Sequence, residues 1–283
     1  MTVGSIAAVP AWPLALGAVF SVQLSAALSV SLIDAVGPAG TAWLRLTAGA
    51  AILLLIARPP LREMRRADVP GLLALGVASG VMGVAFLAAI ERISLGTTVA
   101  IEFLGPLTVA AFRSHNQRAL VWPAAAFAGV VLLTEPWQGG IDARGVICAA
   151  IAGVGWGSYI VLTQYVGDRF TGIKGLTITV PIAALTTATI GVPQANGHLT
   201  LNVVAAAIGL ALLFPVTTFV LEMAALRRMT HTAFGTFMAI EPAVGVLLGL
   251  LVLRQHLSIL QAAGIALVVL AGAAAQHGGR RHD

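Results

Sequence analysis

Charged side chains are scarce. They make up 10% of the 283 residues, against about 25% in a soluble globular domain. With 58% hydrophobic residues and a mean hydropathy of +0.95, the chain cannot cover a water-facing surface of its size, which excludes a soluble fold. Cysteine is nearly absent as well. The single Cys148 lies in an apolar run, so no intrachain disulfide and no cysteine metal cluster can form. A GxxxxGK[ST] phosphate loop, an HExxH pair and a GxSxG elbow are all missing, so no ATP drive, zinc hydrolase or serine nucleophile is encoded in recognisable form. The sequence implies no cofactor and no metal. No Lys or Arg precedes Trp12, and the first apolar run is of full span length, so no cleavable signal peptide is expected. The isoelectric point near 10.6 accompanies a net charge of only +5, carried by scattered cations, which argues against nucleic acid as a partner.

Long, unbroken apolar runs are abundant. In a bilayer only helices and closed barrels satisfy every backbone polar group, and continuous rather than alternating hydrophobicity excludes the barrel. Turn and charge punctuation marks ten segments: 12–33, 39–57, 70–90, 94–112, 120–134, 145–166, 172–191, 201–224, 230–252 and 258–275. Most approach the roughly 20 residues that a membrane-spanning helix needs. The sequence predicts an all-α membrane protein of ten transmembrane helices with no soluble domain. If the N-terminus is cytoplasmic, twelve Lys and Arg residues fall on the inside and three (Arg92, Arg144, Arg254) on the outside, leaving Arg45 within the bilayer. By the positive-inside rule, both termini then lie in the cytoplasm, and the protein is a multi-pass protein of the cytoplasmic membrane.

A displacement of 136 residues lays Gly17–Phe20 on Gly153–Trp156, Ser94 on Thr230 and Pro106 on Pro242. Residues 1–140 and 141–283 thus form two five-helix repeats. Five is odd, so the second repeat enters from the opposite face. This inverted arrangement underlies alternating access in many secondary transporters.

Four ionisable residues stand away from the loops: Arg45, Glu102, Glu222 and Glu241. A charge at the centre of a membrane helix costs about 2.5–3.5 kcal/mol on insertion scales, so each is expected to face protein, ligand or a water-filled path. Glu102 lies about 12 Å and Arg45 about 9 Å below the outer ends of their spans. The matching depths suggest an Arg45–Glu102 pair or shared contact with a charged ligand; an ion pair of purely structural use is the competing reading. Pro106 displaces the carbonyl of Glu102, and Pro242 that of Met238 beside Glu241. Both prolines therefore mark helix kinks where a carboxylate and a freed carbonyl could receive an ammonium group or a proton. Glu222, close to Arg227 and Arg228, reads better as a solvated or snorkelling residue at the interface than as part of the site. Gln23 and Ser25 in the first span, and Trp156, Tyr159 and Gln164 in the sixth, could line a polar path, with Trp156 and Tyr159 as one wall. His231 is the only histidine at the start of a span. Gly76/Gly80, Gly153/Gly157 and Gly245/Gly249 mark close helix packing.

The stretch Thr98-Val-Ala-Ile-Glu102-Phe-Leu-Gly-Pro106 resembles the fourth span of bacterial threonine/homoserine exporters, in the EamA group of the drug/metabolite transporter superfamily. Leu221-Glu222-Met223, the run from Phe234 to Ala243 and Thr41-Ala-Trp-Leu-Arg45 are similar to other spans of that group. At Thr218 and Phe219 the chain departs from these exporters, which carry a proline and a tyrosine there. The resemblance implies ten helices in two inverted halves around a central cavity. It also implies export of a small zwitterionic amino acid in exchange for protons, within the lipid bilayer and with a homodimer as a compatible assembly. The other readings are export of another metabolite or drug, or a membrane scaffold that transports nothing. An enzyme is not expected.

Overall fold

The computed structural model describes residues 10–59, 64–113, 120–135, 137, 142–166, 173–229 and 231–278. These residues are helical with short connections, and no strand occurs among them. The helices are α1 (Ala11–Ile56), α2 (Val69–Ile90), α3 (Leu95–Arg113), α4 (Val121–Thr134), α5 (Ala143–Val166), α6 (Ile173–Ala195), α7 (Leu201–Ala211), α8 (Thr218–Leu226), α9 (His231–Met238), α10 (Glu241–Leu251) and α11 (Ile259–Gly278). Seven helical stretches among the described residues are long and apolar enough to cross a membrane, with α7–α8 and α9–α10 each counted as one. The helices of 121–134 and 259–275 are shorter and equally apolar. Leu55, Leu185, Leu201 and Ile259 stand exposed on the outside of the bundle, as lipid-facing side chains do.

α1 has 46 residues, about 69 Å at 1.5 Å per residue, or twice the roughly 30 Å of hydrocarbon. It is not straight. Gly37 has φ 73° and ψ 168° and is followed by Pro38, a backbone conformation that essentially only glycine adopts. The Arg45 guanidinium donates to Ser29 Oγ at 3.4 Å, although residues sixteen apart on a straight helix would be separated by about 24 Å. The two arms of α1 therefore fold back on one another as a hairpin, and each arm matches one apolar segment.

Two further segments are interrupted. α7 and α8 are joined by a π-type turn, Leu212–Thr217, in which Phe214 is extended (φ −139°, ψ 123°) and Pro215 follows. The expected ninth segment splits at Ala239–Ile240, where Ile240 N–H donates to Phe237 three residues back. That break stands where the sequence places a Pro242 kink. Pro106 behaves differently, for α3 runs through it without interruption.

Local chemistry fixes the helix starts. Thr200 accepts from Val203 N–H and caps α7. Ser258 and Gln261 form a reciprocal capping pair at α11. Asp142 caps α5 by accepting from Arg144 and Gly145 N–H. The Gly145 amide, with the Arg92 guanidinium beside it, holds the Asp142 carboxyl below its ordinary value.

The glycine pairs lie at helix crossings, as their spacing suggests. A Cβ on Gly76 or Gly80 would press on α6, and one on Gly153 would meet the backbone of α3. Gly129 and Gly264 bring α4 and α11 together backbone to backbone.

Candidate functional site

The first arm of α1 carries polar groups on two faces. On one, Gln23 Nε2 donates to Glu241 Oε1 at 3.0 Å. Glu241 opens α10 just after the helix break and is 7% exposed, while Gln23 is 2% exposed. Gln23 Oε1 and Glu241 Oε2 are buried acceptors without a protein donor. Glu241 is electrostatically coupled to Glu102 on α3 and to Glu222 on α8. Glu222 is in turn coupled to Tyr159 on α5, which is hydrogen-bonded to Thr163.

The other face is a stripe of serines at 21, 25 and 29, a spacing of four that keeps them in line on a helix. Ser21 Oγ donates to the Leu213 carbonyl at 2.9 Å and Ser25 Oγ to the Leu210 carbonyl at 3.2 Å. Thr218 Oγ1 also donates to Leu213, at 2.9 Å. Hydroxyls thus reach the carbonyls in and just before the π-type turn, where Leu213 also accepts from the Thr218 backbone N–H. Ser29 receives Arg45. Arg45 Cζ stands 5.0 Å from the centroid of the Phe214 ring, within cation–π range, and Phe214 lies against Phe219 with ring centroids 5.6 Å apart. Arg45 is 4% exposed and its Nε has no protein acceptor.

The expected Arg45–Glu102 contact does not form. Arg45 instead spends its donors on Ser29 and its face on Phe214, and no ion pair joins it to Glu102. The freed carbonyl of Glu102 is likewise not open to a ligand. Gly153 of α5 packs on it so closely that a Cβ there would stand 3.0 Å from the Glu102 oxygen, and the carbonyl serves helix contact. Glu222, read from its neighbours as an interfacial residue, is half-buried on α8. Trp156 packs edge-on against Phe103, next to Glu102, with centroids 5.9 Å apart. The side chains of Gln164 and His231 lie outside the described residues. A cleft of about 680 Å³ opens between α3 and α5, lined mainly by apolar residues such as Ile101, Leu104, Val154 and Val161; none of the four buried charges reaches it.

Sequence reading missed Phe214, Ser21 and Ser29, and it named Ser25 and Thr218 without their link to the turn. Pro215 in an otherwise helical run was the available signal for the turn, and serines at i, i+4 and i+8 were the signal for what satisfies it.

Residues 143–274 match the model of the EamA-like transporter family. Over 275 residues the chain is 34% identical to the threonine/homoserine exporter RhtA of Escherichia coli (strain K12), a match covering 95% of this chain and 92% of that protein. Identity to RhtA of Salmonella typhimurium (strain LT2) is 33% with the same coverage. A protein of known crystal structure superposes with a TM-score of 0.64 over 96% of this chain and 99% of its own, at 18% identity, a likeness of fold alone.

Proposed function

This multi-pass membrane chain belongs to the EamA-like transporter family, a family of transporters and not of enzymes, and from that premise we propose that it exports small zwitterionic amino acids of the threonine and homoserine kind. Export proceeds by alternating access in exchange for protons. The observation that carries this reading is a pair of complementary poles. Gln23 Oε1 and Glu241 Oε2 are buried acceptors in want of a donor, and Arg45 Nε is a buried donor in want of an acceptor. Unpaired buried polar atoms are costly and call for an explanation. An ammonium group answers the first pole and a carboxylate the second. Glu102 and Glu222 add negative charge around the ammonium pole, and a proton can occupy the same carboxylates when the solute has left.

Both poles are attached to the first arm of α1, at Gln23 and at Ser29, about 9 Å apart along the axis. One small solute engages both only as the helices shift, which alternating access supplies. Further support comes from helix pairing. Counting both arms of α1, and α7–α8 and α9–α10 as one span each, gives ten crossings, in halves 1–140 and 141–283. Under the 136-residue offset α2 corresponds to α7–α8 and α5 to the first arm of α1. α2 packs on α5, and α7 and α8 pack on α1. α4 and α11, which correspond to each other, also pack together. Exchange of this kind is what an inverted repeat produces. With the arginine bias, both termini are cytoplasmic and the membrane is the cytoplasmic one.

The test is counterflow in proteoliposomes loaded with unlabelled threonine. Labelled threonine and homoserine are expected to exchange, and the variant Glu102→Gln to exchange neither. A chain that moves no member of an amino-acid panel would be the scaffold instead. Phe214 and Phe219 beside Arg45 favour one second reading, a solute with an apolar side chain, and the same panel decides it through leucine and phenylalanine.

A further inference from the structure

Among the described residues, several side-chain ties between helix ends of the two halves stand at one end of the bundle, the end that holds the α1 kink. Arg92 of the α2–α3 connection donates to Asp142 at the start of α5, at 3.2 Å. Ser258, at the start of α11, donates to Glu135 at the end of α4, at 2.9 Å. Two more ties are helix caps supplied from the opposite half. Gln194 near the end of α6 accepts from Ala39 N–H at 2.8 Å and from Gly40 N–H at 3.0 Å. Gln255, just beyond α10, accepts from Leu95 N–H at 3.2 Å. These amides open the second arm of α1 and open α3, where a helix start leaves N–H groups without internal partners.

The 136-residue offset carries Gln194 onto Arg58 and Gln255 onto Ala119. Arginine has donors only, and the alanine side chain has no polar atom. Neither can accept from a helix start at the opposite end of the bundle. The two repeats therefore differ in this one device.

We infer that Gln194 and Gln255 are gating residues, a latch that closes the kink end of the bundle and must open for solute to pass there. The structure holds this latch closed, and the side chains at the repeat-related positions cannot form one, so the resting protein is closed at the kink end. By the arginine bias that is the external face, and the resting exporter faces the cytoplasm from which it loads. The inference rests on the alternating-access reading above.

A disulfide tests it. A Cβ on Gly40 would stand 3.3 Å from the Ala195 Cβ, close to the 3.5–4.5 Å that disulfides span. In a Cys148→Ala chain carrying Gly40→Cys and Ala195→Cys, oxidation is expected to cut threonine exchange in proteoliposomes by about tenfold or more, and dithiothreitol to restore it. Fully cross-linked protein that exchanges at the reduced rate would overturn the latch. A second measurement needs no transport and so separates the latch from the export reading. Thr98, fully buried one turn from Glu102, is replaced by cysteine in the Cys148→Ala background. Gln194→Ala with Gln255→Ala is then expected to speed labelling of that cysteine, by an impermeant maleimide from the kink side, by about tenfold. An unchanged rate would show the glutamines to be static packing, whatever the flux.

Discussion

Among the buried charges, Glu241 is where the contacts converge: Gln23 donates to it, and both Glu102 and Glu222 are coupled to it. In the proposed cycle Glu102 is essential, because removing its charge would weaken the ammonium pole. Glu102→Gln, nearly isosteric, is expected to fold normally and lose threonine export, and wild-type flux would remove it from the site. Arg45 acts at the other pole. Losing a charged hydrogen bond costs about 1.5–3 kcal/mol, roughly 10- to 100-fold in affinity, so Arg45→Leu should raise the half-saturating threonine concentration by that factor in counterflow. Unchanged kinetics with normal expression would make Arg45 a structural residue held by Ser29 and Phe214. The four buried charges are legible in the sequence from the membrane cost of each. Their partners are not. Glu222 stands in sequence beside Arg227 and Arg228, which suggests an interface, and its sequence neighbours say nothing of the influence of Glu241, which stands on another helix. Pro106 displaces the Glu102 carbonyl and so marks it as free, but a glycine on another helix, Gly153, claims it.

Elements follow the same division between local and distant causes. Apolar run length and turn punctuation locate the helical segments, because in lipid those two quantities decide where a helix begins and ends. Breaks inside segments depend on longer-range chemistry. At the Leu212–Thr217 turn Ser21, nearly 190 residues away, donates to the Leu213 carbonyl, and Ser25 donates to Leu210 just before it. Continuity of α3 through Pro106 cannot be read from a proline alone, since Pro242 stands at the break between α9 and α10. The kink at Gly37 is different, being set by one residue. Its φ of 73° admits essentially only glycine, and the Gln194 side chain occupies the place of a Cβ. Gly37→Ala should therefore cost about 1–3 kcal/mol in backbone strain and displace Gln194 as well. A lowered thermal midpoint in detergent checks this; an unchanged midpoint would mean the kink tolerates a side chain.

At the scale of the whole molecule, the proposed reading is of two halves with an acid pole and a basic pole between them and further polar ties at the kink end. That architecture makes transport a matter of which end opens and what neutralises the carboxylates while it does. A proton replaces the solute at the Glu241 group on the return step of the proposed cycle, so the pH gradient drives export. The direct measurement is threonine accumulation in proteoliposomes with an acidic lumen and a neutral exterior. Wild-type protein is predicted to concentrate threonine inside as protons leave, and Glu241→Gln, at equal reconstitution, to fail to do so. Accumulation by Glu241→Gln at the wild-type level would contradict proton-coupled export through this carboxylate group.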